Sequence, residues 1–359
     1  MPVLDNKHFD ISIIDGYNKV FNFIQSFRSS GKTTSVFRKV YKKYIADKSP
    51  SIVIRRNIVD ISEQYINDTE KVINKFLDDD KKIKFFYKAT NLKDGIVDIY
   101  LSEKDLKSHE NVFIRIVSLS IKMMRLKSGI LNNVAYFVYD EYIIDIYNGE
   151  KYLMNEVIKF KELYNTYIRE SPNIRCFFIG NIYSIYNPFH DWKKLDYSKV
   201  CDGCYITGED YVYNKYKGNP ELIEELKKNP LYKDDPEYTN YALYGIAVND
   251  LNKIIVPKEP KNFKLVYLFK TDSKYIGIFR TQIYNQESYL YWACGLEWNQ
   301  EYQRQAMCFD FASLGQNAFI PDRDLLMRVR PLKYAMQHRQ IAFDNIGTSY
   351  ALEYLYSFI

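Results

Sequence analysis

Between residues 21 and 181 the chain alternates short β-branched and aromatic runs with longer segments whose apolar positions recur every three or four residues. That alternation predicts a parallel α/β sheet flanked by helices. Residues 21–27 (FNFIQSF) form the first expected strand, and the following TTSVFRKVYKKYIA places Val36, Val40 and Tyr44 on one helical face. A second strand is expected at 51–56 (SIVIRR), then a helix over 62–78 and a hairpin over 84–101. Three further apolar runs, 112–119, 134–141 and 174–181, each end in polar residues. Between the last two, Leu153, Val157, Phe160, Tyr164 and Ile168 line one face of a helix.

The pattern changes after Pro188. Residues 197–258 are rich in Tyr, Asn, Asp and Lys, with one short helix in which Asn219 caps and Pro220 takes the first turn. From 263 onward, three strands follow at hairpin spacing, and the chain closes on an amphipathic helical stretch from about 332 to 357. The expected division is an α/β domain at 1–196, a linker domain at 197–258 and a C-terminal α+β domain at 259–359.

Composition narrows the picture only slightly. The chain has 359 residues, 47% of them hydrophobic and 26% charged, which fits a folded protein of more than one domain. No run of about 18 apolar residues occurs, and the charged N-terminus does not resemble a signal peptide, so an intracellular protein without membrane contact is expected. Five scattered cysteines read as reduced thiols, and the lone Cys201–Cys204 pair lacks the partners a zinc site needs. The net charge of +5 does not by itself imply nucleic acid, and the 34 tyrosines fit a codon bias as well as base stacking.

The candidate chemistry begins at SFRSSGKTTS, residues 26–35. The segment follows a strand, opens a helix and matches a phosphate-binding loop, GxxxxGK[ST], except that Ser26 stands in place of the first glycine. In such a loop Ser26, Arg28, Ser29, Ser30, Gly31 and Thr34 shape or line the phosphate cradle. Lys32 reaches the β- and γ-oxygens, and the Thr33 hydroxyl binds Mg²⁺. Serine is small and turn-tolerant, so the substitution at 26 weakens the match without removing the chemistry. The second element is VAYFVYDE, a strand ending in two acids: Asp140 is placed to hold Mg²⁺ with Thr33, and Glu141 to activate the attacking water. Asn181 ends the third such strand, where it can sense the γ-phosphate. Together these features point to a Mg²⁺-dependent nucleoside triphosphatase of the P-loop kind; ATP as the nucleotide comes with the resemblance that follows.

The segments SFRSSGKTT, IVIRRN, YFVYDE and NTYIRESPNIRCFFIGNIYSIYNPF together resemble the genome-packaging ATPases of phi29-like small tailed phages, relatives of the large terminases. The resemblance covers most of residues 20–190 and returns more weakly at YIGIFRTQIY and the final stretch. It implies a P-loop fold of the additional-strand, conserved-glutamate (ASCE) type. It also implies assembly as a homo-oligomeric ring, usually a pentamer, at the capsid portal, driving double-stranded DNA inward from the host cytoplasm, with a structural packaging RNA as a further partner. By the same resemblance, Arg28 acts on the nucleotide or the catalytic glutamate, and Arg169 is an arginine finger reaching the neighbouring subunit's nucleotide. Lys127 acts across that same interface. Arg55 and Arg56 recur in the family without an assigned role. The C-terminal domain resembles a vestigial, RNase H-like nuclease; Asp272, Glu287, Glu297, Asp310 and Asp344 form no pattern that would hold two metals, so no nuclease activity is expected. Arg323, Arg328, Arg330, Lys333 and Arg339 form a basic stretch that suits phosphate contact or a solvated face equally. A helicase or other ring ATPase, and a nucleotide-binding assembly scaffold without hydrolysis, are the alternatives.

Overall fold

The computed structural model describes residues 7–121, 130–144, 150–183, 187–196, 199–233, 239, 242–243, 254–270, 275–282, 289–297, 299–310, 323–338, 340–345, 348–349 and 351–352. The chain divides into two compact units. The first comprises Met1–Asp145, Asn155–Tyr183 and Lys199–Gly245. Its strands are β1 (Phe21–Ser26), β2 (Ser51–Arg55), β3 (Ile96–Ile99), β4 (Ile114–Ser118), β5 (Tyr136–Asp140), β6 (Arg175–Asn181), β7 (Tyr205–Thr207) and β8 (Tyr211–Tyr216). They form one sheet in the order β3-β4-β2-β5-β6-β1-β8-β7. All neighbours from β4 to β8 pair in parallel, and only the edge strands β3 and β7 pair antiparallel. β1, β2 and β4 are buried at every position, which is why they read as continuous apolar runs rather than alternating ones.

Helices cover both faces. On one, α2 (Lys32–Asp47) and α3 (Glu63–Asn74) pack Val36, Val40 and Ile66 against Ile24, Val53, Val138, Phe177 and Ile179 of the strands. On the other, the intervening residues of the same strands meet α5 (Glu156–Ile168): Phe23 stacks on Phe178 at 4.5 Å, and Phe160 of the helix lies 5.0 Å from the Phe178 ring. The short helices α1 (Ile11–Asp15) and α4 (Glu103–Ser108) also precede α5. The mixed α/β class with a parallel-rich sheet is the one expected.

Three sequence-based expectations differ from the structure. Residues 205–216 do not belong to a separate linker domain, because β8 hydrogen-bonds along the whole of β1 and extends the main sheet. The tyrosine-rich composition that set this region apart reflects an outer strand of that sheet. The hairpin over 84–101 is reduced to a single antiparallel bridge between Phe86 and Tyr100; β3 pairs instead with β4, where Asp98 receives a bidentate grip from Arg115 at 2.6 and 2.8 Å. The expected stretch from about 332 is not one helix: a helix spans Arg323–Gln337, starting upstream and running through Pro331. Residues Ile341–Phe343 then form a strand, β14, whose Ile341 and Phe343 enter the core.

The second unit comprises Ile146–Met154, Ser184–Ser198 and Ile246–Ile359. Its strands are β9 (Ile254–Ile255), β10 (Lys264–Lys270), β11 (Tyr275–Gln282), β12 (Tyr289–Leu296), β13 (Met307–Asp310) and β14, in the order β13-β10-β11-β12-β14-β9. β10, β11 and β12 form an antiparallel meander, with the outer strands added in parallel. Val329, Leu332 and Ala335 of the long helix pack onto Tyr267, Ile276, Ile278 and Ala293. No helix among the described residues is long and apolar enough to cross a membrane.

Candidate nucleotide site

Parallel strands end on one edge of the first sheet, and the crevice outside those ends is where α/β sheets bind ligands. Ser26 of β1 pairs with Asn181 of β6, and Asp140 of β5 pairs with Ile179 of the same β6. One strand therefore separates the loop strand from the acidic strand, as the additional-strand expectation requires, and it carries Asn181 into the space between them.

The loop is shaped by two residues in the left-handed backbone region, Ser29 at φ 62 and Gly31 at φ 87. Gly31 is required twice over: its φ suits glycine, and a Cβ there would stand 2.9 Å from the His8 Cβ. The N-terminal segment thus lies against the loop, and the Phe9 amide donates to the Ser30 carbonyl at 2.9 Å. Gly31 also leaves the start of α2 without a side-chain cap, so the first-turn amides have no internal acceptor. Such an uncapped N-terminus favours an anion. Ser26 is fully buried and its hydroxyl meets that of Ser30 at 2.5 Å, closing the loop across its base. Ser26→Gly removes this contact and frees the backbone, so it is expected to weaken ATP binding modestly, by about twofold to tenfold, in a titration calorimetry experiment. A complete loss of binding would contradict this reading of Ser26.

Lys32 is buried, and its ammonium donates to Asn181 Oδ1 at 2.8 Å and to the Phe27 carbonyl at 3.4 Å. Burial lowers its pKa to about 8, against the opposing pull of Asp140 and Glu141 and with help from Arg28. Thr33 and Thr34 follow in the first turn of α2, both half-buried. Arg28 is exposed and donates to the Tyr183 hydroxyl at 2.7 Å.

The acidic end is held by groups that the sequence reading left without roles. Arg55, at the end of β2, donates to Asp140 Oδ2 at 3.2 Å and to Glu141 Oε2 at 2.7 Å. Its guanidinium lies over the Tyr65 ring at 4.5 Å, and the Tyr65 hydroxyl donates to Asp140 Oδ2 at 3.0 Å. Burial raises the Asp140 carboxyl above its ordinary range, with Arg55 as the main opposing influence. Glu141 sits in the left-handed region at φ 56, a conformation that costs a non-glycine residue about 1–3 kcal/mol and concentrates at functional sites. Immediately beyond it, the Tyr142 carbonyl accepts from Arg56 Nη2 at 2.7 Å. Arg56 is itself locked by Glu156 at 3.0 Å, with both side chains buried. Tyr139 donates to Glu156 at 2.5 Å. This network anchors the turn that carries Glu141, and breaking one partner of such a buried pair costs about 3–5 kcal/mol.

Arg169 lies elsewhere. It caps the C-terminus of α5, and Ser171 just after it accepts the Val134 amide at 2.8 Å, ahead of β5. That is the edge where the strands begin, and the seven residues of β6 separate it from Asn181, roughly 20 Å away. Arg169 is exposed and lines a cavity of about 430 Å³ with Ile130, Glu162, Asn165, Thr166 and Glu170. Lys127 lies outside the described residues. In the second unit, Asp272 and Glu287, with the Asp310 side chain, also lie outside them; Glu297 is exposed, and Asp344 accepts the Gly295 amide at 3.1 Å. The side chains of Arg323 and Arg339 are likewise outside, whereas Arg328 and Arg330 are exposed on the long helix.

No protein-family model matches the chain. It is similar to the DNA packaging protein of Bacillus phage phi29, at 23% identity over 276 residues covering 73% of this chain and 72% of that protein. The DNA packaging protein of Bacillus phage PZA is 25% identical over 276 residues, with the same coverage of 73% and 72%. Among solved structures, the Phi-28 gp11 DNA packaging motor matches with a TM-score of 0.63 and 17% identity, over 98% of each chain. The bacteriophage Phi-29 viral genome packaging motor assembly matches with a TM-score of 0.55 and 17% identity, over 99% of this chain and 100% of that one. The resemblance to phi29-like packaging proteins is borne out by these relatives, and the solved structures share the fold.

Proposed function

We propose that the chain is an ATP-driven motor that translocates double-stranded viral DNA through a portal into a preformed capsid. The observation that carries this reading is the alignment of Ser26, Asn181, Asp140 and Glu141 along one edge of the sheet, with Lys32 buried among them. The similar DNA packaging proteins of phi29-like phages supply the substrate and setting.

The residues present fit a nucleoside triphosphate with Mg²⁺. The uncapped first turn of α2 and the buried Lys32 ammonium provide positive potential with no anion of their own beyond the acidic pair. In this reading the amides of 29–33 receive the phosphates, Lys32 leaves Asn181 to engage the β- and γ-oxygens, and Thr33 and Asp140 would hold the metal. Bound Mg²⁺ neutralises charge on the phosphate oxygens. Glu141 orients and deprotonates the attacking water, and Asn181, freed from Lys32, reports the state of the γ-phosphate. Arg169 acts on a neighbour in a homo-oligomeric ring, pentameric by resemblance, because it sits at the opposite edge of its own sheet. The ring sits at the capsid portal, in the host cytoplasm, and a structural packaging RNA belongs to its proposed partners.

The test is phosphate release from ATP by the purified protein. Glu141→Gln should stop release while leaving nucleotide binding intact; binding without hydrolysis by the unaltered chain would favour a scaffold. We further propose that the second unit does not cut DNA. Incubation of the full chain with supercoiled plasmid and Mn²⁺ should leave the plasmid un-nicked, and metal-dependent nicking would overturn that.

The buried lysine also imposes a pH dependence. Phosphates favour its charged form, and in the empty site that charge is lost as pH rises through about 8. ATP affinity should therefore fall between pH 7 and pH 9, by at most about tenfold per unit. The sign for folding is opposite: between about 8 and the unfolded value of 10.5 the unfolded chain binds the extra proton, so this group's contribution to stability rises with pH. Titration calorimetry across that range distinguishes the two; an affinity independent of pH would contradict the assignment of Lys32.

A further inference from the structure

Cys201 and Cys204 are the first and last residues of one tight turn. The Cys204 amide donates to the Cys201 carbonyl at 3.1 Å, and Gly203 takes the third position at φ 81, the left-handed value that a type II turn requires there. Such a turn keeps its end Cα atoms within about 7 Å, the separation that a disulfide bridges. The two thiols lie within hydrogen-bonding reach of each other. The turn is pinned to β8: the Gly203 amide donates to the Lys215 carbonyl at 2.8 Å, the Cys204 carbonyl accepts from Asn214 Nδ2 at 2.9 Å, and Asp202 pairs with Lys215 at 2.8 Å. Lys215 is in register with Gln25, so the pair stands beside the neighbour of the strand that enters the phosphate loop. Cys201 is exposed and Cys204 half-buried, whereas Cys176 and Cys294 are buried. Among the described residues no group of three or more His, Cys, Asp or Glu side chains is placed to hold a metal ion, which leaves thiol chemistry to the pair.

We propose that Cys201 and Cys204 form a reversible redox site, a dithiol that exchanges with low-molecular-weight disulfides of the glutathione class and closes a Cys201–Cys204 bridge. Cys201, the exposed member, is the entry thiol. Its thiolate attacks one sulfur of the incoming disulfide, the external S–S bond breaks, and one half leaves as a thiolate that takes up a proton. The Cys204 thiolate then attacks Cys201 Sγ, forms the internal bond and displaces the second half. Two protein thiols are oxidised, one external disulfide is reduced to two thiols, and the two protons pass from the cysteines to those thiols. The order follows from burial, which pushes the Cys204 thiol pKa up and disfavours its thiolate in the first attack; in the second, the turn supplies the proximity. The ring spans four residues, so the bridge constrains the unfolded chain less than a long-range one, and excess thiol reopens it.

The test incubates the folded full chain with glutathione disulfide and follows it by intact mass and by peptide mapping without reduction, with exposed Cys308 as the internal reference for adduct formation. The expected product is a Cys201–Cys204 bridge, marked by the loss of two hydrogens and reversed by excess glutathione. Cys204→Ser should instead accumulate a glutathione adduct on Cys201, and Cys201→Ser should react at Cys204 at least about tenfold more slowly. Equal rates in the two variants overturn Cys201 as the entry thiol. In urea, where the turn is lost, the proportion of bridge to adduct should fall at least about threefold; an unchanged proportion overturns the reading of a built site. An adduct that persists on the unaltered chain without a bridge, or a bridge from either cysteine to Cys308, overturns the proposal without any variant having to fold.

Discussion

Replacing Lys32 with alanine is expected to lower ATP hydrolysis at least about a hundredfold and to weaken nucleotide binding as well. The lysine is the cation held inside the loop, against the Phe27 carbonyl and Asn181, and the first-turn amides carry only partial charge. Removing the ammonium leaves Asn181 without this partner and the phosphate oxygens without a full positive charge. Folding should survive, because a lysine whose charged form is disfavoured by burial is not a source of stability. Phosphate release under saturating ATP, with the thermal unfolding midpoint as a control, checks both statements. Hydrolysis near the original rate would remove the loop from the active site.

Arg169→Ala is expected to bind ATP almost normally and to hydrolyse it at least about a thousandfold more slowly, because a finger supplies charge as the γ-phosphate bond breaks. Its position at the strand-start edge, marked by the Ser171–Val134 bond, is why the proposed mechanism assigns it to a neighbouring subunit's site. A mixture of Arg169→Ala and Glu141→Gln proteins should therefore regain some activity. Interfaces arise that pair an intact Glu141 with a neighbour's intact Arg169, and neither variant forms such an interface alone. If the mixture co-assembles and stays inactive, the shared-site mechanism loses its support.

The parts of the site visible in the sequence are those whose chemistry is contiguous. A phosphate loop needs its glycine, lysine and hydroxyl side by side, and the acids end a strand whose apolar run announces it, so Lys32, Thr33, Asp140 and Asn181 enter the candidate site by pattern. Arg55 is different. It meets Asp140 and Glu141 only because β2 pairs with β5, a choice of neighbour that residues 85 and 86 positions apart do not reveal. The Arg56–Glu156 lock, 100 positions apart, is hidden for the same reason. Fold-level departures have similar causes. Residues 211–216 look like linker in composition yet find an open edge on β1, and the helix expected from about 332 begins instead at Arg323 and carries Pro331 inside it. Ser26 was legible as a small turn residue, but its 2.5 Å contact with Ser30 depends on the loop closing.

The most direct test of the motor reading is DNA entry into procapsids that carry the portal. Procapsids, linear duplex DNA with blunt ends, this protein and ATP are combined, and the DNA that survives added nuclease is measured. The account predicts ATP-dependent protection of the duplex with its strands still paired, and none with a non-hydrolysable ATP analogue or with Glu141→Gln. ATP hydrolysis at full rate with no protected DNA, or with strands separated instead of moved, would contradict it.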